Sequence, residues 1–391
     1  MLGPAFVAAV AYVDPGNFAA NFSAGAQHGY LLLWVLVLAN VMAMVVQYLS
    51  AKLGIVTGKS LPELLGEKLT GRKRFLYWLQ AELVAIATDI AEVIGGALAL
   101  NLLFGLPLLL GGVLTGLVSM CLLLLYTKRE QKIFERVIIG LLLLLPLGFV
   151  AGLWQHPPVA HEVVSGLVPR LQGSDTVLLA VAMLGATVMP HVVYLHSSLT
   201  RDRFDGHTKK AIPELLRATK IDVVIALLFA GMVNISMLLF AASALQGNAS
   251  DSIVAIYHAI GKVSGSAIAA LFAVGLLISG FVSTAVGSQA GAAIMAGLYN
   301  KKLSLFARRL ITIIPALVLL FVGVEPTVTL LLSQVALSFG IPFALVPLTV
   351  MTADRTLMGV QVNSRKMTIA VCIITGLVSV LNIALILMTV I

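Results

Sequence analysis

Eleven stretches of mostly apolar residues follow one another along this 391-residue chain. Each is close to the roughly 20 residues a helix needs to cross a bilayer. They cover 4–26, 31–53, 75–103, 107–126, 133–154, 175–199, 219–245, 265–297, 306–323, 327–349 and 367–390. In hydrocarbon every backbone N–H and C=O needs a partner within the protein, and runs of this length meet that need as helices. The expected fold is therefore all-α and integral to a membrane. Charged residues make up only 11% of the chain, against about 25% in soluble domains, which excludes a water-soluble globule. The net charge of +8 does not imply nucleic acid, because the basic residues are scattered over short loops rather than gathered on one face. No basic stretch leads into a cleavage site, so no signal peptide is expected. Cys121 and Cys372 lie in apolar runs and are expected to pack there without a disulfide.

The loops set the orientation. Of 25 Lys and Arg residues, 23 fall in 52–74, 128–136, 201–220, 301–309 and 355–366. These are alternate connections, so they share one side. The positive-inside rule places that side, and the N-terminus, in the cytoplasm. With eleven spans the C-terminus lies outside. The expected location is a cell membrane, the inner membrane of a bacterium, with the lipid bilayer as the surrounding partner. Residues 252–260 are expected to form a short surface helix before the eighth span.

Two of the spans are interrupted by polar, helix-stopping residues. The first reads Asp14-Pro15-Gly16-Asn17 and the second Ala186-Thr187-Val188-Met189-Pro190-His191. Proline removes a backbone donor in each. Unwound backbone at membrane depth is tolerated only where protein or a water-filled cavity satisfies it. Asp14 and Met189 are 175 residues apart, and their spans cross in opposite directions. Paired interruptions in corresponding halves point to a transporter's substrate site and to an inverted repeat. The expected organisation is spans 1–5 (1–154) against spans 6–10 (175–349), with an added eleventh span (367–391), forming one transport domain.

Four acids lie well inside the spans: Asp14, Glu82, Asp89 and Glu92. Each costs about 2.5–3.5 kcal/mol on the insertion scale. No Lys or Arg lies near the middle of a span, so protons and cations are the natural partners. Asp14 and Asn17 offer oxygens, Met189 a thioether, and the unwinding releases carbonyls near Ala11 and Ala186. Hard cations prefer all-oxygen sites, whereas a soft sulfur favours transition metals such as Mn²⁺ or Fe²⁺. Glu82, Asp89 and Glu92 fall on one stripe of span 3, which reads as a proton wire towards the cytoplasm. It reads equally as an ionic network with Arg203 or Arg309 at the cytoplasmic rim. His191 and His196 on span 6 are candidates for a proton relay, since histidine changes charge near neutral pH. Tyr12 and Gln334 can add oxygens or close the site, and Asn234 can cap its outer side. No P-loop, GxSxG, CxxC or HExxH occurs, so neither ATP hydrolysis nor an enzyme activity is expected.

At these residues the chain resembles the Nramp family of divalent metal transporters. Its DPGN motif stands here as Asp14 to Asn17, its MPH motif as Met189 to His191, and its acidic third span as Glu82, Asp89 and Glu92. The resemblance covers essentially the whole chain. It implies a LeuT-like fold of 5+5 spans with spans 1 and 6 broken. It also implies alternating access and proton-coupled uptake of Mn²⁺ and Fe²⁺, with Cd²⁺, Co²⁺ and Zn²⁺ accepted. By the same resemblance Asp14, Asn17, Met189 and the Ala186 carbonyl hold the metal, and the Ala11 carbonyl and Gln334 join in some states. Asp14, Asp89, Glu92 and His191 match the positions tied to proton movement. No cofactor and no obligate protein partner is implied. Three other readings remain: a sodium-coupled amino-acid symporter of the same fold, a membrane enzyme with acids around a metal, and a passive cation channel, which needs rings of ligands from several subunits.

Overall fold

The computed structural model describes residues 4–124, 140, 143–144, 146–204, 206, 211–247, 252–300 and 305–390. All regular structure within them is helical. The first expected span is two pieces, α1 (Pro4–Ala11) and α2 (Pro15–His28). Then come α3 (Leu33–Thr57), α4 (Leu61–Lys68), α5 (Gly71–Phe104), α6 (Leu108–Leu124), α7 (Leu147–Gln155) and α8 (Ala160–Gly166). The sixth expected span is again divided, into α9 (Gly173–Thr187) and α10 (Pro190–Arg203). The chain continues through α11 (Ile212–Ala244), α12 (Ile253–Val263), α13 (Ser266–Tyr299), α14 (Leu305–Val322), α15 (Pro326–Ala353), α16 (Arg355–Met358) and α17 (Arg365–Val390).

Seven described helical runs are each long and apolar enough to cross a membrane, taking 173–203 as one run. Of the expected span 133–154, residues 140, 143–144 and 146–154 are described, and 147–154 belong to α7. The short helix expected at 252–260 is α12, and α8 is a further helix between the fifth and sixth expected spans. Helix α5 begins before the expected residue 75. The polar run at its start has no helix breaker, so the helix continues out of the apolar region.

Packing follows the burial pattern. Helices α2, α9 and α10 are buried almost all round, whereas only 28% of the apolar window of α17 is buried. The centre of the bundle is therefore built from the divided spans, and α17 is peripheral. Exposed Leu83, Ile314, Phe321 and Val380 lie on outward faces, as lipid-facing positions should. Cys121 and Cys372 correct the expectation of packing: both thiols are free and exposed on such faces. Corresponding contacts recur in the two halves. Helix α11 packs on α2 as α3 packs on α10, and α5 packs on α15 as α13 packs on α7. The short helices α4 and α12 also occupy matching places in the chain order.

Helix α4 starts with a reciprocal cap. The Ser60 hydroxyl accepts from the Glu63 N–H, and the Glu63 carboxylate accepts from the Ser60 N–H. Arg201, at the end of α10, adds an ion pair to Glu63. Burial pushes the Glu63 carboxyl up, but the Ser60 hydrogen bonds and the Arg201 guanidinium outweigh it, and the net shift is downward. A lowered carboxyl stabilises above its ordinary pKa, and that contribution is lost as pH falls through the lowered value. Ser60→Ala should cost about 1 kcal/mol near neutral pH and lose part of its effect in acid, which thermal unfolding against pH would show.

Candidate metal and proton site

Both divided spans are broken by the same backbone device. In an α-helix the carbonyl of residue i accepts from the N–H of residue i+4. For Ala11 that residue is Pro15, and for Ala186 it is Pro190. Neither proline has an N–H to give. Each break therefore releases the carbonyl four residues before a proline, and each proline then starts the next helix at a favoured first position. Asp14 caps α2, with extended backbone at φ −85° and ψ 170°. Met189 holds the matching place before α10, at φ −62° and ψ 116°.

The polar groups of the two breaks converge. The Asp14 carboxylate accepts from the Asn17 N–H at 2.8 Å and from Asn17 Nδ2 at 2.9 Å. The same Nδ2 donates to the Ala186 carbonyl at 3.1 Å. Gln334 Nε2, on α15, donates to the other Asp14 oxygen at 3.2 Å. One amide nitrogen thus sits between a carboxylate and a released carbonyl, where a cation would find both. The Asn17 and Gln334 amide oxygens are buried without a hydrogen-bond partner. Turning either amide by 180° presents an oxygen instead of a donor. Asp14, Ala186, Met189 and Gln334 are all 0% exposed, and Asn17 is 1% exposed. These groups are thus shielded from solvent. Among the described residues there is no cluster of three or more His, Cys, Asp or Glu side chains that could hold a metal. The groups that these hydrogen bonds bring together are one carboxylate, two amides and one released carbonyl.

Close backbone approach makes this convergence possible. A Cβ on Gly16 would lie 1.8 Å from Gln334 Nε2, and one on Gly185 would lie 1.9 Å from the Gln334 carbonyl oxygen. Only glycine admits α15 against both breaks at once. Two further helices take up carbonyls of the first break. Asn234 Nδ2, on α11, donates to the Tyr12 carbonyl at 2.6 Å, and Ser279 Oγ, on α13, donates to the Val13 carbonyl at 2.6 Å. Asn21 donates to Asn234 Oδ1. Beyond Asn17, towards His28, the rings of Phe18, Phe22, Phe149, Phe240 and Phe272 form one cluster with neighbouring centroids 4.9–6.4 Å apart.

The two histidines serve different neighbourhoods. His191 Nδ1 lies 3.3 Å from the Thr88 hydroxyl on α5. His196 Nδ1 lies 2.8 Å from Gln47 Oε1, and Gln47 Nε2 donates to the Tyr12 hydroxyl. Tyr12, Gln47 and His196 thus form a chain on the side of α3. Gln47 was not singled out from sequence, where a lone amide in an apolar run carried no signal.

The span 3 acids meet arginines inside the bundle. Arg308 Nη1 donates to Glu82 at 2.9 Å. Arg309 is 0% exposed. It donates to Asp89 through Nη1, to Ser119 through Nε and to Thr284 through Nη2. Glu92 Oε2 lies 3.8 Å from Arg309 Nη1 and has no hydrogen-bond partner. This corrects the reading that the interior holds no base. Arg309 stands near the start of α14, but its long side chain carries the guanidinium inward. It also replaces one continuous acidic stripe with two ionic groups. Arg203 is placed elsewhere, lining a cavity of about 260 Å³ with His196, Asp222 and Pro4. Asp222 is 4% exposed and its carboxylate accepts from the Ala5 N–H at 3.2 Å, anchoring the start of α1. Its place near the edge of an apolar run hid it from the sequence reading, as it hid Arg308.

Known proteins match this arrangement over its whole length. The family described as "Natural resistance-associated macrophage protein-like" (Nramp) matches residues 5–388. The chain belongs to the Nramp family. It is 55% identical to the divalent metal cation transporter MntH of Mycobacterium tuberculosis, over 100% of this chain and 92% of that one. It is 45% identical to the MntH of Bacillus subtilis, over 98% and 91%. Among solved structures, the Eremococcus coleocola manganese transporter superposes with a TM-score of 0.88 at 31% identity, over 97% of this chain and 84% of that one. MhsT, solved in complex with L-phenylalanine, gives a TM-score of 0.65 at 12% identity, covering 98% of each chain. That likeness shows the fold alone.

Proposed function

We propose that this chain is a proton-coupled importer of divalent transition metals, foremost Mn²⁺ and Fe²⁺, with Cd²⁺, Co²⁺ and Zn²⁺ also accepted. The observation that carries the reading is the meeting of the Asp14 carboxylate, the Asn17 amide and the released Ala186 carbonyl in one buried place. Met189 stands in the same break as Ala186. The names of its relatives agree: divalent metal cation transporters and a manganese transporter. An amino-acid substrate suits this site less well, because its carboxylate would face Asp14. The chain is a carrier in a membrane and not an enzyme, and the metal is its cargo.

In this reading the protein has eleven spans, five repeated inverted and one added. The recurring contacts of α11 with α2 and of α3 with α10 support that division. The N-terminus and the basic connections face the cytoplasm, and the C-terminus faces out. Asp14, Asn17, Met189 and the Ala186 carbonyl hold the metal, joined by the Ala11 carbonyl and Gln334 as the halves move. Tyr12 and Asn234 gate the site, one through the chain to His196 and the other through the Tyr12 carbonyl. The proton leaves Asp14 for span 3, with His191 beside it at Thr88. Arg309 engages Asp89 directly, so Glu92 is the carboxylate left to accept a proton. Glu82 and Arg308 continue the path. Metal and proton then take separate routes, the metal leaving past a displaced α1 through the region of His196 and Arg203.

Mn²⁺ uptake into proteoliposomes, with and without an inward proton gradient, tests the function. Uptake should rise with the gradient and carry protons with it. In Glu92→Gln the metal-driven proton flux should fall on the order of 10²-fold, while Mn²⁺ binding by calorimetry changes little. Loss of binding with intact proton flux would show the two routes reversed. Met189→Ala should keep part of the Mn²⁺ transport while Ca²⁺ competes about tenfold better, a shift of roughly 1.4 kcal/mol, because the thioether favours only softer ions. Unchanged Ca²⁺ discrimination would reduce Met189 to a packing residue.

A further inference from the structure

A second polar cavity, of about 310 Å³, lies between α3, α11 and the start of α17, at the end of the bundle that carries the 355–366 connection. Its polar wall holds Lys52, Lys220, Asn363, Ser364 and the Tyr48 hydroxyl, and no acid among the described residues lines it. Lys52 is only 7% exposed although it sits inside a span. Its Nζ donates to Asn363 Oδ1 at 2.8 Å. No carboxylate among the described residues makes an ion pair with it. A buried ammonium with a neutral partner keeps two further donors and lacks a counter-charge. The arrangement is built in advance. Asn363 Nδ2 donates to the Thr352 hydroxyl at 2.8 Å, and the Asn363 N–H donates to the Thr352 carbonyl at 3.0 Å, which turns Oδ1 towards Lys52.

The rest of the lining is apolar, including Met44, Val45 and Val223. On the same two helices Val41 is 53% exposed, Ile221 52% and Ile225 46%. Cation and amide donors therefore sit at the mouth of a groove whose neighbouring faces are oily. A soluble anion would use only the first part, whereas a phospholipid uses both. We propose that this cavity binds the phosphodiester headgroup of an anionic phospholipid, with its acyl chains along α3 and α11. In the orientation proposed above, this lipid belongs to the cytoplasmic leaflet, where basic pockets between spans meet anionic headgroups. The two helices it would join are those that pack on α10 and α2, the second halves of the divided spans.

The test uses the full chain, purified in a neutral detergent and titrated with dioleoyl phosphatidylglycerol or dioleoyl phosphatidylcholine. Retained lipid is read by native mass spectrometry. Phosphatidylglycerol should bind saturably and phosphatidylcholine should not. At about 1 kcal/mol per basic residue, Lys220→Gln should weaken binding about fivefold and Lys52→Gln with Lys220→Gln about 25-fold. Lys366→Gln, exposed at the start of α17 and outside the cavity, should leave binding unchanged. Equal binding of the two lipids would overturn the proposal. So would a Lys366→Gln loss as large as that of Lys220→Gln, which would mean general surface charge. Displacement of the lipid by inorganic phosphate at matched concentration would assign the site to a soluble anion instead. If the Lys52 variant does not fold, the exposed Lys220 carries the comparison.

Discussion

Asp14→Ala should reduce Mn²⁺ transport by more than about 100-fold and leave a folded protein. Asp14 is the one acid in either break, and every other polar group that meets there is neutral. Loss of even an outer partner of a metal ligand typically costs 10–100-fold, so loss of the only charged ligand should exceed that. The structural cost is smaller. Asp14 caps α2, and loss of such a cap costs about 1 kcal/mol. Asp14→Asn separates the two roles, because an amide can still cap the helix but brings no charge. Uptake and thermal unfolding on both variants give the answer. Near-normal Mn²⁺ uptake in a well-folded Asp14→Ala protein would remove Asp14 from the site.

The largest loss of stability should come from Arg309→Ala. The guanidinium joins Asp89 on α5, Ser119 on α6 and Thr284 on α13 to its own helix α14. Removing it leaves Asp89 and Glu92 buried with no cation against them. Breaking a buried pair on one side costs about 3–5 kcal/mol. Arg309→Lys should recover only part of this, because one ammonium cannot reproduce the fork. Adding Asp89→Asn to Arg309→Ala should recover more, because the stranded charge is then gone. Thermal unfolding in detergent gives the order of the four proteins. An Arg309→Ala protein as stable as the parent would mean that the acids are satisfied without the arginine.

Much of this was legible in the chain because a bilayer leaves few choices. Apolar length marked the helices, and a proline beside an acid or a methionine marked both breaks. The meeting of Asp14, Asn17 and the Ala186 carbonyl was legible in this way, and the released carbonyls followed from Pro15 and Pro190. What sequence did not show was reach. Arg309 lies near the start of its span, yet its side chain ends in the interior beside Asp89. Arg308 repeats the pattern with Glu82. Lys52 was counted among the loop residues, yet its ammonium is buried against Asn363, 311 positions away. A hydropathy window records where a Cα lies, and a long basic side chain can carry its charge a full turn or more from there. Gln47 and Ser279 were missed for another reason. Small polar residues are common in membrane helices, and only the third dimension shows which of them meet the broken backbone.

A carrier must also come back without its cargo. In the buried site the Asp14 oxygens are already engaged by the amides of Asn17 and Gln334. The Ala186 carbonyl is engaged by the same Asn17 nitrogen. These hydrogen bonds tie α2 to α9 and to α15 through neutral amides. If Asp14 and Asn17 hold the metal as proposed, the same amides stand ready to join the two halves when it has left. On the proposed cycle Asn17 would then serve twice, as a ligand while the cargo is carried and as a latch between the halves on the way back.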